Sequence, residues 1–260
     1  MRANEGATVA LVGAGPGDPG LLTLKGRDRI AAADVVVYDR LVDPEILDHA
    51  RPGARQIYAG KERGRQVLSQ DDLNRLLVEL ARDGLRVVRL KGGDPFLFGR
   101  GGEEASALVA AGIDFEVVPG ISAGLAAPAY AGIPVTDRRL SSSVAFVTGH
   151  EKPGNTGVDW AGLATSVDTI VIFMGMKHLD AIARALAIGG RPGDTPAAVI
   201  QWGTNSEQVT VIGTLEDIAG RARAAGAGSP ATVVIGEVVS LAGALDWFRT
   251  LPAPSRVVAV

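Results

Sequence analysis

The chain has 260 residues, 47% of them hydrophobic and 21% charged, with a formal net charge of -3 and no cysteine. This is the composition of a globular protein long enough for one large or two smaller cores, and it excludes a disordered or fibrous chain. It also excludes disulfides, thiolate metal sites and cysteine nucleophiles, and the acidic balance supplies no global field to recruit nucleic acid, so any anion site must be local.

Short β-branched runs alternate with helical patterns along the chain. "TVALVGAG", "DVVVYD", "RQIYAGK", "LRVVRLKGG" and "DFEVVPG" read as strands; "LLTLKGRDRIAAA", "SQDDLNRLLVELARDG" (opened by Ser69) and "GGEEASALVAAG" read as helices. After "PGISAG" the composition shifts to Ala, Gly and Pro until "SSSVAFVTGHE" begins a second set. Strands follow at "DTIVIFMG", "TPAAVIQWG", "EQVTVIG" and "SPATVVIGEVV", and helices at "HLDAIARALAIGG" and "LEDIAGRARAAG". The pattern predicts an α/β fold of two domains with mainly parallel or mixed sheets covered on both faces, residues 1–118 and 119–245. A linker is expected over about 118–135 and a loose tail over 246–260, of which "PAPSRVVAV" is the end.

His49, His150 and His178 have no ligand spacing, so no metal is expected. The N-terminus lacks a signal-peptide pattern, and "ISAGLAAPAYAGIPV" is too short and proline-broken to span a bilayer, so no membrane partner and a cytoplasmic location are expected.

Ligands on such sheets sit beyond the strand ends. In "VGAGPGDPGLL", Gly15, Gly17 and Gly20 match a dinucleotide fingerprint, with Asp39 at the distance of a ribose-binding acid. Pro16 and Pro19 oppose that reading, because they remove N–H donors from the loop that would bind pyrophosphate. A tight turn without a ligand is the third reading. In "LKGGDPFLFGRGGEE", Gly92 and Gly93 allow close backbone approach, and Asp94 offers an acceptor to amine or hydroxyl groups of a nucleoside; Asp94 as a plain cap is the competing reading.

With these stretches, "ADVVVYDRLV", "VVPGISA", "AYAGIPVT", "VTGH", "FMG", "GT" followed by "Q", and "PATVVIG" carry a family resemblance. Over about residues 8–245 the chain resembles the uroporphyrinogen-III C-methyltransferases of the tetrapyrrole methylase superfamily. Nothing in it resembles the dehydrogenase and chelatase module of siroheme synthases, so a stand-alone methyltransferase is expected. The resemblance implies transfer of two methyl groups from S-adenosyl-L-methionine to carbons 2 and 7 of uroporphyrinogen III. The products are precorrin-2, a precursor of siroheme and cobalamin, and S-adenosyl-L-homocysteine. It further implies a homodimer of two-domain subunits, the cofactor lying in the inter-domain cleft. A relative acting on another corrin precursor, and a nucleotide-dependent oxidoreductase, are the alternatives.

By the same resemblance Pro16, Gly92, Gly93, Asp94, Leu97, Ser122, Ala123, Met174, Gly203 and Ala231 bind the cofactor. Met174 as plain core and Ser122 as a helix cap are the competing readings. Leu97 and Ser122 stand where close relatives commonly have Ile and Thr. The resemblance makes Asp39 a proton acceptor and Lys61 a proton donor; otherwise Asp39 caps a loop or pairs with Arg40, and Lys61 contacts a substrate carboxylate. Arg40, Arg63, Arg65, Arg100, Arg138 and Arg139 could grip substrate carboxylates. Asp137 replaces a histidine frequent in relatives, which puts any role of that histidine in doubt.

Overall fold

The computed structural model describes residues 8–60, 68–150 and 157–248. The chain divides into two compact units between Ser122 and Ala123. Among the described residues there are ten strands and eight α-helices.

Unit 1 contains β1 (Val9–Gly13), α1 (Leu24–Ala32), β2 (Val35–Tyr38), α2 (Pro44–Leu47), β3 (Arg55–Tyr58), α3 (Gln70–Arg82), β4 (Val87–Lys91), α4 (Gly101–Ala110) and β5 (Phe115–Val118). Its sheet runs β3-β2-β4-β1-β5 with every pairing parallel. Alternation along the strands supplies two apolar faces. Ala10, Val12, Val36, Val88 and Leu90 pack against Ile30 of α1 and Ile46 of α2. Val9, Leu11, Val35, Val37 and Val87 pack against Leu73, Leu77 and Leu80 of α3 and Leu108 of α4. Ser69 and Asp72 close a capping box on α3, as the predicted helix start requires. From β1 the chain passes over one face towards β2, and from β4 over the other towards β5. The β1–β4 pair is therefore the switch point, where a crevice opens beyond the strand carboxyl ends.

Unit 2 contains α5 (Ala123–Tyr130), β6 (Val144–Thr148), α6 (Trp160–Ser166), β7 (Thr169–Phe173), α7 (Leu179–Ile188), β8 (Pro196–Gln201), β9 (Val209–Thr214), α8 (Ile218–Ala224) and β10 (Ala231–Ile235). The order is β6-β7-β10-β8-β9; only β6 and β7 are parallel, and the remaining pairings are antiparallel. Ile170, Ile172, Val199 and Val233 meet Leu186 of α7 and Ile218 of α8 on one face. Ala198, Ile200 and Val234 meet Ala127 of α5 on the other.

Four sequence expectations change. The predicted linker contains a helix, α5, whose Gly124 lies so close to the Phe173 and Phe146 rings that a Cβ would approach within 2.6 Å. The strand expected over 229–239 stops at Ile235, where Gly236 takes φ +152° and a 3-10 turn, Glu237–Leu241, follows. Helices α2 and α6 were not expected. The tail expected from residue 246 packs on unit 2 at its start: the Trp247 indole N–H donates to Ala129 O at 2.9 Å, and its ring meets Tyr130 edge-on. "PAPSRVVAV" lies outside the described residues.

Candidate functional site

In unit 1 three loops meet on glycine backbone at the carboxyl ends of β1, β4 and β5. Gly15 and Gly93 exchange backbone hydrogen bonds in both directions, at 3.3 and 2.6 Å. A Cβ on Gly13 would lie 2.5 Å from Gly120 Cα, and one on Gly120 would lie 2.3 Å from Gly93 O. Gly93 is at φ +69°, a conformation that favours glycine.

Asp94 staples these loops. Its Oδ1 accepts from the Phe96 and Leu97 N–H groups at 2.8 and 3.1 Å, and its Oδ2 accepts from Gly120 N–H at 3.1 Å. Asp94 thus closes a loop turn and does not cap the helix that follows, since α4 has Arg100 as its N-cap, and Leu97 is fixed by that turn. Gly92 faces Leu41, with 3.2 Å available to a Cβ. Pro16 is partly exposed, and Ser122 is buried.

The same geometry decides against a dinucleotide loop. Gly15 N–H is bonded to Gly93, Gly20 N–H is bonded to the Asp18 carboxylate at 2.7 Å, and Pro16 and Pro19 have no N–H. Thr23 already caps α1 through Gly26 N–H. A pyrophosphate needs several converging N–H groups, and here it would meet the Asp18 carboxylate as well.

Beneath this edge lies a charge cluster the sequence reading missed. Arg89 and Lys91 on β4 are 2% and 3% exposed, and Glu104 in the first turn of α4 is wholly buried. Glu104 Oε1 accepts from Lys91 Nζ at 2.7 Å and Arg89 Nε at 3.2 Å. Arg89 Nη1 donates to the carbonyls of Val37 and Leu90, and Nη2 reaches Asp39 Oδ1 at 2.6 Å. Asp39 thus pairs with Arg89 and not with Arg40. Burial lowers the Lys91 pKa and the neighbouring Arg89 charge adds to the shift, against the pull of Glu104. The missed signal was two cations at alternate positions of a strand expected to be covered on both faces, where each needs an acid.

In unit 2 the residues singled out converge on one edge of the mixed sheet. Met174 follows β7 and Gly203 follows β8. Ala231 starts β10, opposite Gln201, while the next residue, Thr232, is opposite Phe173. Because β10 runs antiparallel, "PAT" reaches this edge by its amino end, a correction to the carboxyl-end rule used for the parallel strands. Met174 is 50% exposed at φ +55°, so it is not core. Trp202 and Thr204, flanking Gly203, also have positive φ, +48° and +74°. A Cβ on Gly203 would lie 2.3 Å from Ala127 Cβ on α5, where Ala123 is the first residue.

Lys61, Arg63 and Arg65 lie outside the described residues. Arg100 is tied to Glu103 at 2.6 and 2.9 Å, and Arg40 and Arg138 are exposed. Asp137 closes a turn by accepting from Arg139 N–H at 2.9 Å.

The model for tetrapyrrole (corrin/porphyrin) methylases matches residues 8–219. The chain belongs to this family. It is 49% identical to a siroheme synthase of Chromobacterium violaceum, over 95% of this chain and 53% of that one. It is also 50% identical to a uroporphyrinogen-III C-methyltransferase of Bacillus subtilis, over 93% of this chain and 95% of that one. It spans about half the length of several curated relatives it matches, siroheme synthases among them. A solved Thermus thermophilus uroporphyrin-III C-methyl transferase, complexed with S-adenyl homocysteine, superposes with a TM-score of 0.77 at 40% identity, covering 90% of this chain and 93% of that one. The family's fold accounts for both units. Among the described residues no helix is long and apolar enough to cross a membrane, and no cluster of three potential metal ligands occurs.

Proposed function

We propose that this methylase transfers two methyl groups from S-adenosylmethionine to carbons 2 and 7 of uroporphyrinogen III, yielding precorrin-2 and S-adenosylhomocysteine. The observation that carries the reading is the similarity to the Bacillus subtilis enzyme along nearly the whole of both chains. The loop geometry agrees with it: after β1 the Gly15 and Gly20 amides are engaged within the protein and Pro16 and Pro19 have none to offer, which suits a ligand without phosphates, and side-chain-free backbone at Gly92 and Gly93 accommodates close approach.

We assign Pro16, Gly92, Gly93, Asp94, Leu97 and Ser122 of unit 1, and Ala123, Met174, Gly203 and Ala231 of unit 2, to the cofactor. When bound, the cofactor supplies a methyl group already activated on sulfonium sulfur. The chain's own task is alignment, which is worth roughly 7–11 kcal/mol in well-oriented systems. Its second task is proton transfer: forming the new carbon–carbon bond leaves a positive charge on the tetrapyrrole that loss of a proton removes. Asp39, held at the end of β2 by Arg89, is the acceptor in this reading, and Lys61 is the donor. Exposed arginines such as Arg40 and Arg138 serve the substrate carboxylates. We place the enzyme in the cytoplasm, and take it as a homodimer from the family resemblance.

Anaerobic incubation with S-adenosylmethionine and uroporphyrinogen III, followed by mass analysis, tests the reaction. Two added methyl groups are expected; none, or one, removes the assignment. Calorimetry is expected to show S-adenosylhomocysteine binding and no NAD(P) binding, and the reverse result removes the cofactor.

A further inference from the structure

We infer that Glu104 is a positioning residue for the Asp39 carboxylate, acting through the guanidinium of Arg89. The inference rests on the reading of Asp39 as proton acceptor and deepens it. Stability does not account for the cluster. A buried set of charges is commonly no better than well-packed apolar side chains of the same volume, because desolvation offsets the attraction. Here one carboxylate oxygen is overcommitted while the other is not engaged. Oε1 faces Lys91 Nζ and Arg89 Nε, with Gln70 Nε2 at 3.5 Å, whereas Oε2 is buried with no hydrogen-bond partner among the described residues. Such an arrangement costs free energy. What it provides is geometry.

Arg89 carries its donors in a planar fork, so fixing two of its three nitrogens fixes the third. Glu104 holds Nε, the Val37 and Leu90 carbonyls hold Nη1, and Nη2 is left pointing at Asp39 Oδ1. Asp39 is the one member of the set that is partly open, with a side chain 32% exposed, so it is the end of the chain that can meet a substrate. Lys91 balances Glu104 and makes the four charges neutral as a set. Without the Glu104 charge, Arg89 and Lys91 become two buried cations with Asp39 as their remaining counter-ion in the set. Arg89 Nε loses its anionic anchor whether or not Lys91 is charged, so Nη2 no longer holds Asp39 in one orientation.

The test is a cycle of Asp39→Asn, Glu104→Gln and the double variant, assayed on the full chain with uroporphyrinogen III, with S-adenosylhomocysteine affinity and melting temperature measured in parallel. Glu104→Gln is expected to lower kcat by roughly tenfold to a hundredfold, the size of effect that about an ångström of misplacement produces. The affinity for S-adenosylhomocysteine should stay within about twofold, and in the Asp39→Asn background Glu104→Gln should cause no further loss. The variant Lys91→Met/Glu104→Gln, which removes both charges, guards against simple unfolding. It is expected to melt at or above the temperature of Glu104→Gln and still to show the lowered kcat. Wild-type kcat in Glu104→Gln, or an equal further loss on top of Asp39→Asn, overturns the inference while leaving Asp39 as acceptor. Wild-type kcat in Asp39→Asn overturns both.

Discussion

The two units solve one problem with different materials. Each has a five-stranded sheet with a core on both faces, and each collects the residues of interest at one sheet edge. In unit 1 that edge is glycine backbone laid against glycine backbone over three buried charged groups, Arg89, Lys91 and Glu104. In unit 2 the buried charged residue among those described is Arg191, and it serves the chain itself, donating to the carbonyls of Ala164, Val167 and Asp168 beside the end of α6. The edge of unit 2 holds Met174, Trp202 and Thr204 at positive φ, a strained choice for residues with side chains that unit 1 also makes, at Phe98 and Arg100 after β4. Charge chemistry is thus concentrated in the all-parallel unit, where the strand ends point one way and a dry cluster can lie beneath them. The mixed unit contributes shape with no such cluster among the described residues of its edge.

The largest expected effect tests that division directly. Asp39→Asn should lower kcat at least about a hundredfold, the usual weight of a general base, with S-adenosylhomocysteine affinity nearly unchanged by calorimetry. A variant that loses affinity and keeps kcat would make unit 1 a binding edge and erase the contrast. Next comes the glycine contact. In Gly120→Ala the new Cβ would sit 2.3 Å from Gly93 O and 2.7 Å from Gly13 Cα, both backbone. The expected cost is about 3 kcal/mol in denaturant unfolding, at the upper end for overpacking. In unit 2, Gly203→Ala meets Ala127 Cβ instead, which is a side chain. Its cost should be roughly 2 kcal/mol, and adding Ala127→Gly should recover part of it, a rescue with no counterpart at Gly120.

The same contrast explains what could be read from the sequence. Unit 1 was legible because "TVALVG", "DVVVYD" and "LRVVRL" are β-branched runs separated by amphipathic helices, so periodicity and parallel topology agree. Unit 2 was legible in its elements but not in its directions: "PATVVIG" is as good a strand upward as downward. The hairpin of β8 and β9, with the Gly- and Asn-bearing "WGTNSEQ" between them, was the available sign of antiparallel pairing. Helix α5 escaped because "AGLAAPAY" has no polar face and carries Pro128 inside. At the site, the glycines and Asp94 stood out because few residue types tolerate such contacts. Arg89, Lys91 and Glu104 did not stand out, because a cation on a strand looks like a solvent-facing position until the covering helix is known.

Met174 sharpens the contrast from the side of strain. With its side chain half exposed it has little packing to lose, and asparagine accepts the left-handed region more readily. Met174→Asn is expected to raise unfolding stability by about 1 kcal/mol, given the cost of roughly 1–2 kcal/mol for an L-residue in that region, while weakening S-adenosylhomocysteine binding. Gain in stability with unchanged affinity would leave the strained edge without a binding purpose.

The smallest effects lie at the opposite ends of the strands, where each unit places an aspartate immediately before a strand. Asp34, before β2, accepts from the Arg86 backbone N–H at 2.8 Å and from the Arg86 and Arg51 guanidinium groups. Asp168, before β7, accepts from the backbone N–H and hydroxyl groups of Ser142 and Ser143. The Arg86 side-chain hydrogen bond holds the Asp34 carboxyl far below its ordinary value of 3.8, and the Ser142 backbone N–H lowers Asp168 from the same value. Both folded-state pKa values are depressed, so each contribution to stability is present above about pH 4 and is lost as the pH falls through the folded value. Asp34→Asn and Asp168→Asn should therefore each lower the melting temperature at pH 7, with the difference from wild type closing in acid. Salt separates them. At 0.5 M NaCl the screening length is about 4 Å, so the Asp34→Asn effect, which involves arginine charges, should shrink, while the Asp168→Asn effect, carried by neutral donors, should persist. Equal salt responses would mean that the preference of unit 1 for charge stops at its functional edge and does not extend to the way its strands are tied.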